Sequence, residues 1–184
     1  MERIVCILIG YVFGLFQTSF FYGKMKGIDI REHGSGNAGT TNTIRVLGTK
    51  AGLLVLAGDI LKCILAILLC GALFDASHPQ EVYLLKLYAA AGAILGHNFP
   101  FYLHFKGGKG IAATAGLILA FHPYFIPAGV ILFFGAFLTT HYVSLGSLLV
   151  YAGLMIQMVV CGQMGLFHAP QAILNEMYIL TALL

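Results

Sequence analysis

The chain has 184 residues, of which 59% are hydrophobic and 9% charged, and its mean hydropathy is +0.91. A water-soluble domain carries about 25% charged residues, so the composition excludes one and places the chain in a membrane. The net charge of +3 is too small and too unevenly placed to support nucleic-acid binding.

Ile4 to Tyr22 is the first apolar run, long enough to cross a hydrocarbon core of about 30 Å. Gly23 to Lys50 follows as a polar segment with Lys24, Lys26, Arg31, Arg45 and Lys50. Inside it, GSGNAGTTNTIRVLG (Gly34 to Gly48) is dense in small residues and in the polar side chains of Ser35, Asn37, Thr40, Thr41 and Asn42. Glycines let backbone approach a ligand closely, and Arg45 offers a bidentate fork for phosphate. The same composition also fits a flexible polar loop.

Ala51 to Phe74 is the second span. It carries Asp59 and Lys62, whose spacing of three puts them on one helix face, where they can pair. Charges inside a span face a cavity or each other, so the pair is either a structural ion pair or part of a site. After the loop DASHPQE comes the third span, Val82 to Leu103, with Lys86 near its start as a snorkelling lysine.

Gly96 to Gly110 reads GHNFPFYLHFKGGKG. Lys106 and Lys109 flank Gly107 and Gly108 just before an apolar helix-like run. Backbone N–H groups at a helix start, the helix dipole and two ammonium groups suit a phosphate; a basic turn that sets membrane orientation would read similarly. His97 lies just upstream as a general base or a buried structural donor.

Ile111 to Phe121 and Tyr124 to Leu138 are shorter apolar runs hinged at His122-Pro123. TTHYVS leads into Leu145 to Phe167, and a His168-Ala169-Pro170 turn precedes Ile173 to Leu184. The expected fold is an all-α integral membrane protein. It forms one membrane domain over residues 1–184, a polytopic bundle of about seven transmembrane segments with the last incomplete. Seven of the ten Lys and Arg residues fall in Gly23 to Lys50 and His104 to Gly110. The positive-inside rule then puts these segments in the cytoplasm and the N-terminus outside.

Cys6, Cys63, Cys70 and Cys161 lie in apolar runs without CxxC spacing, which reads as buried, reduced thiols. The histidines lack metal-ligand spacing, so no metal or other cofactor is expected. GxSxG is absent, and the residue five after His97 is Tyr102, so the HxxxxD arrangement of many soluble acyltransferases is absent too. On these residues alone the candidates are an interfacial enzyme for phosphorylated substrates and a transporter or channel for a phosphorylated small anion. Short, nearly uncharged outer loops favour the enzyme.

SGNAGTTNTIRVLG and GHNFPFYLHFKGGKGIAA, in that order and separated by spans, resemble the first two motifs of the bacterial acyl-phosphate:glycerol-3-phosphate acyltransferase family, membrane enzymes of the PlsY type. DILK and YVSLGS resemble further shared stretches. The resemblance implies transfer of a fatty acyl group from acyl phosphate to the 1-hydroxyl of glycerol 3-phosphate, giving lysophosphatidic acid and phosphate in the bacterial inner membrane. It implies a catalytic group of His97, Ser35, Lys109 and Asn42. It also implies phosphate-binding by Ser35, Asn37, Thr41, Arg45, Lys106, Gly107, Gly108, Lys109 and Ser144, with Lys62 as a weaker candidate. The implied partners are glycerol 3-phosphate, fatty acyl phosphate, membrane lipid and the soluble enzyme that makes acyl phosphate. The family's third motif, a basic stretch after the last span, has no counterpart after Asn175. The expectation is therefore a longer protein, in which about eight more residues complete the last crossing.

Overall fold

The computed structural model describes all residues 1–184 and is helical throughout, with no strand. Nine α-helices follow in order: α1 (Glu2–Gly14), α2 (Thr18–Met25), α3 (Thr40–Leu47), α4 (Thr49–Phe74), α5 (Val82–Asn98), α6 (Ile111–Phe121), α7 (Phe125–Thr140), α8 (Val143–Gln163) and α9 (Gln171–Leu183). Short 3-10 turns at Ile30–Glu32 and Phe101–Leu103 complete the set. Three stretches are long and apolar enough to cross a membrane: Glu2–Met25, Thr49–Phe74 and Val143–Gln163. The remaining apolar helices are shorter than that; α6, with 11 residues, is about 16 Å long. Leucines along α4 such as Leu53, Leu54, Leu61 and Leu68 are exposed, as are Leu148, Ile156 and Val160 on α8. Apolar surface on this scale needs lipid around it.

The first apolar run is not one helix. α1 stops at Gly14, and Gln17 takes an extended conformation before α2 begins. The cause lies in the packing of α1 on α5. Gly10 and Gly14 on α1 face Gly92 and Gly96 on α5, each pair spaced by four. A Cβ on Gly10 would overlap the Ala89 carbonyl, and one on Gly92 the Ile7 carbonyl. Small residues at this spacing let two helix backbones touch in a membrane, where dispersion and not water drives association.

The polar segment after α2 also departs from expectation, because half of the glycine-rich stretch is the helix α3. Gly48, at φ 86°, turns the chain sharply into α4. Gly52 on α4 leaves the space that the Ile44 side chain of α3 fills, so α3 lies against the start of α4. The main core joins α4, α5, α6, α8 and α9 through residues such as Ile67, Leu87, Leu117, Leu154 and Met177. Phe121, Phe125, Phe167 and Tyr83 form an aromatic knot, with ring centroids 5.0 to 5.7 Å apart for Tyr83–Phe167, Phe121–Phe125 and Phe121–Phe167. Arg3 donates to both oxygens of Glu176, at 2.7 and 3.0 Å, and Tyr88 donates to the same carboxylate at 2.8 Å. These bonds tie α9 to α1 and α5.

Candidate active site

The C-terminus of α5 sets the site. A helix ends with four carbonyls that lack intrahelical donors, and here each finds one. Leu95 O accepts from Phe99 N at 2.7 Å, His97 O from Gly108 N at 3.0 Å and Asn98 O from Gly107 N at 3.1 Å. Gln17, buried in the break between α1 and α2, donates through Nε2 to His97 O at 2.7 Å and to Gly96 O at 3.5 Å. The glycines are needed for closeness: a Cβ on Gly107 would overlap His97 O, and one on Gly108 would overlap His97 Nε2. The N–H groups of Gly107 and Gly108, expected to face a phosphate, therefore cap α5 instead. Lys106 N is spent likewise, on Leu103 O at 3.2 Å.

Gly108 also joins the two glycine-rich segments. A Cβ there would come within 2.9 Å of Ala38 O, so Ala38 from the first segment and Gly108 from the second close over the imidazole edge of His97. Beneath lies a buried polar cluster. As its spacing predicts, Lys62 pairs with Asp59, Nζ to Oδ1 at 3.0 Å. Lys62 Nζ is also 2.8 Å from His97 Nδ1, 2.8 Å from Phe16 O and 3.3 Å from Gly14 O. The last two carbonyls are available because α1 breaks at that point. Thr18 donates to Asp59 Oδ1 at 3.0 Å. Lys62, expected as a phosphate ligand, is 4% exposed, and its three donors are all directed at protein acceptors.

Asn42 is also buried and fully engaged. Its Oδ1 accepts from Ser35 N at 2.8 Å, and its Nδ2 donates to Ile30 O and His33 O, both at 3.0 Å. Asn42 is thus the strap that folds the first glycine-rich loop onto α3, and it has no donor left for a substrate. The Ser35 side chain is exposed, Asn37 is half-buried, and Thr41 and Arg45 are exposed in the first and last turns of α3. Lys106 and Lys109 are exposed. Lys106 lines a cleft of about 400 Å³ together with Arg31, Asp29, Glu32 and His104. Arg31 is bound there to Asp29, Nη2 to Oδ2 at 2.8 Å, and to Leu103 O at 3.1 Å. That guanidinium holds the Asp29 carboxyl down at about 2. Ser144 is exposed in the first turn of α8, a helix that packs on α7 and α9.

A second cavity of about 400 Å³ runs between α1 and α4, lined by Val12, Phe13, Phe16, Leu61 and Leu65 and reaching Lys62. Gln17 is the residue that the sequence reading passed over. Its signal was a Gln-Thr-Ser interruption inside an apolar run, since a polar side chain at membrane depth is a functional candidate by default.

Comparison with known proteins identifies the family. Residues 4–184 match the family described as Glycerol-3-phosphate acyltransferase. The chain is 44% identical over 144 residues to a glycerol-3-phosphate acyltransferase of Bacillus velezensis, covering 78% of this chain and 71% of that protein. The same figures hold for its Bacillus subtilis counterpart. Glycerol-3-phosphate acyltransferase 2 of Moorella thermoacetica is 40% identical over 150 residues, 81% of this chain and 74% of the relative. Two crystal structures of PlsY (YgiH), an integral membrane glycerol 3-phosphate acyltransferase, superpose along the whole chain and cover 86% of their own. The glycerol 3-phosphate form gives a TM-score of 0.81 at 30% identity, and the lysophosphatidic acid form 0.79 at 29%.

Proposed function

This chain belongs to the glycerol-3-phosphate acyltransferase family, and on that premise we propose that it moves a fatty acyl group from acyl phosphate to the 1-hydroxyl of glycerol 3-phosphate, releasing lysophosphatidic acid and phosphate. The observation that carries this reading is the closure of both glycine-rich segments over His97, with Gly108 between the imidazole and the Ala38 carbonyl. Both substrates are phosphates. The exposed cations Arg45, Lys106 and Lys109 form no ion pair within the protein and are free to meet them. Ser35, Asn37 and Thr41 add hydroxyl and amide groups on the same side, and Ser144 is carried here on the motif resemblance. The apolar cavity between α1 and α4 suits the acyl tail.

An acyl phosphate has a good leaving group, so positioning and charge neutralisation supply most of the acceleration. The hydroxyl proton has two candidate acceptors, His97 and a substrate phosphate oxygen. The enzyme is a multi-pass membrane protein. We place it in the bacterial inner membrane with its N-terminus outside and its site facing the cytoplasm, where glycerol 3-phosphate and the soluble enzyme that makes acyl phosphate are found. Purified protein should release phosphate from acyl phosphate in proportion to added glycerol 3-phosphate, with lysophosphatidic acid appearing in equal amount. Phosphate release indifferent to glycerol 3-phosphate, or no release at all, would overturn the reading.

A further inference from the structure

The apolar cavity between α1 and α4 has a definite length, and its two ends differ. The helices run antiparallel, with Thr18 beside Gly58 at one end and Cys6 grouped with Cys70 at the other. Gly58 and Phe16 mark the end next to the site, where Lys62 Nζ lies 2.8 Å from Phe16 O and 2.8 Å from His97 Nδ1. A Cβ on Gly58 would come within 2.7 Å of the Thr18 side chain, so α2 closes the cavity there. Val12 and Leu65 line the far end. Beyond them Cys6 and Cys70 are buried together with Leu85 and Ala89 of α5, and no passage continues between the helices. From Gly58 to Leu65 is about 10 Å along α4. An extended chain advances about 3.6 Å for every three single bonds, so this length holds about nine carbons.

The walls are of two kinds. Phe13 packs against the main core, and Phe16 stacks on Phe21 with ring centroids 4.9 Å apart, so both rings are backed by protein. Val12, Leu61 and Leu65 are exposed and leave the slot open sideways to lipid. Lipid tails are as apolar as leucine, so a membrane-borne chain gains little by moving into the slot. Discrimination between chains then comes from fit, because an added methyl group in a packed space is costly. Carbons past the closure run on over the exposed Leu8 and Leu68, where fluid lipid accommodates their shape.

We propose that the slot reads the shape of about the first nine carbons of the donor's acyl chain and leaves the rest to the bilayer, with Leu61, level with the fifth carbon, as the specificity-determining side chain. The proposal rests on the acyl-phosphate reading above for the identity of the tail.

The test gives the full chain, in mixed micelles, three hexadecanoyl phosphates at equal mole fraction. One is straight, one carries two methyl groups on its fifth carbon, and one carries them on its fourteenth. A carbon with two methyl groups cannot turn both towards lipid, so one of them must meet the wall. The fourteenth-carbon donor should be used within about twofold of the straight chain in kcat/KM. The fifth-carbon donor should fall about tenfold or more. Leu61→Ala should recover most of that loss, read as the ratio of the two branched donors within the variant. Leu68→Ala, beyond the slot, should leave the ratio as in wild type. Equal use of both branched donors by the wild type overturns the proposal, whether or not either variant folds. A loss that persists in folded Leu61→Ala, or that Leu68→Ala relieves as well, removes Leu61 as the determinant and overturns it too. Turnover without discrimination strikes this proposal alone. No turnover of the straight chain strikes the acyl-phosphate reading, and the proposal with it.

Discussion

The cations near the site divide by what already holds them. Arg31 is committed to Asp29 and Leu103 O, and Lys62 to Asp59, His97 and two carbonyls. Arg45 and Lys109 are exposed and have no ion-pair partner within the protein, so under the proposed function they are the cations available to substrate phosphate. Hydrogen bonds to charged groups contribute about 1.5–3 kcal/mol each. Arg45→Ala and Lys109→Ala should therefore each lower kcat/KM about ten- to hundredfold, while the protein still inserts and purifies. Lys86→Ala is the control. Its Nζ sits 5.1 Å from the Tyr83 ring centre and its stem lies on Gly71, remote from the glycine-rich segments in sequence and packing, so turnover should stay near wild type. Normal kcat/KM in Arg45→Ala or Lys109→Ala would remove that residue from the phosphate site. At this scale the sequence exposed the Asp59–Lys62 pair through its spacing. It could not show that Lys62, Asn42 and the N–H groups of Gly107 and Gly108 were already engaged. Hydrogen-bond partners distant in sequence, such as His97 for Lys62, leave no mark on local composition.

Among the elements, the contact of α1 with α5 controls the site. Their glycines bring the backbones together, and α1 then breaks, which turns Gly14 O and Phe16 O towards Lys62 and inserts Gln17 beneath the end of α5. A Cβ at Gly92 meets the Ile7 carbonyl and the Tyr11 amide of α1, both backbone, so relief requires the helices to separate. Gly92→Ala should cost about 1–3 kcal/mol or more, as overpacking does, and lower activity with it. Gly135→Ala on α7 meets nothing within 4 Å and should instead gain about 0.5–1 kcal/mol from helix propensity. Thermal unfolding in one detergent compares them directly; equal midpoints for the two variants would show that the glycine contact does not hold α1 to α5. The apolar runs gave good bounds for α4 and α6, because span length and flanking polarity are local signals. The α1–α2 break and the helix α3 were hidden for the opposite reason. Hydropathy runs unbroken through Leu15 and Phe16, so the Gln-Thr-Ser that follows marks a polar site without marking a helix end, and the Gly-Thr-Asn composition of the α3 region reads as loop until packing on Gly52 is known.

For the whole molecule, the remaining question is which side of the membrane each loop meets. The loop 75–81 contains no Lys or Arg, whereas the segment after α5 carries Lys106 and Lys109. Lys and Arg are retained on the cytoplasmic side during insertion, so α5 should separate the two loops, with 75–81 outside. With its 17 residues, α5 spans about 25 Å, and the Phe101–Leu103 turn extends the structured chain beyond it. Single cysteines can report the sides once Cys6, Cys63, Cys70 and Cys161 are replaced by alanine. Ser77 is an exposed position for the outer loop. For the other side Lys106 is the right choice and Gly107 is not, since a side chain at Gly107 would displace the His97 carbonyl and uncap α5. An impermeant thiol reagent applied to intact cells should label Ser77→Cys alone, and Lys106→Cys should react only after the cytoplasmic face is opened. Labelling of both positions from the same side would mean that α5 does not carry the chain across, and would remove the cytoplasmic assignment of the site with it.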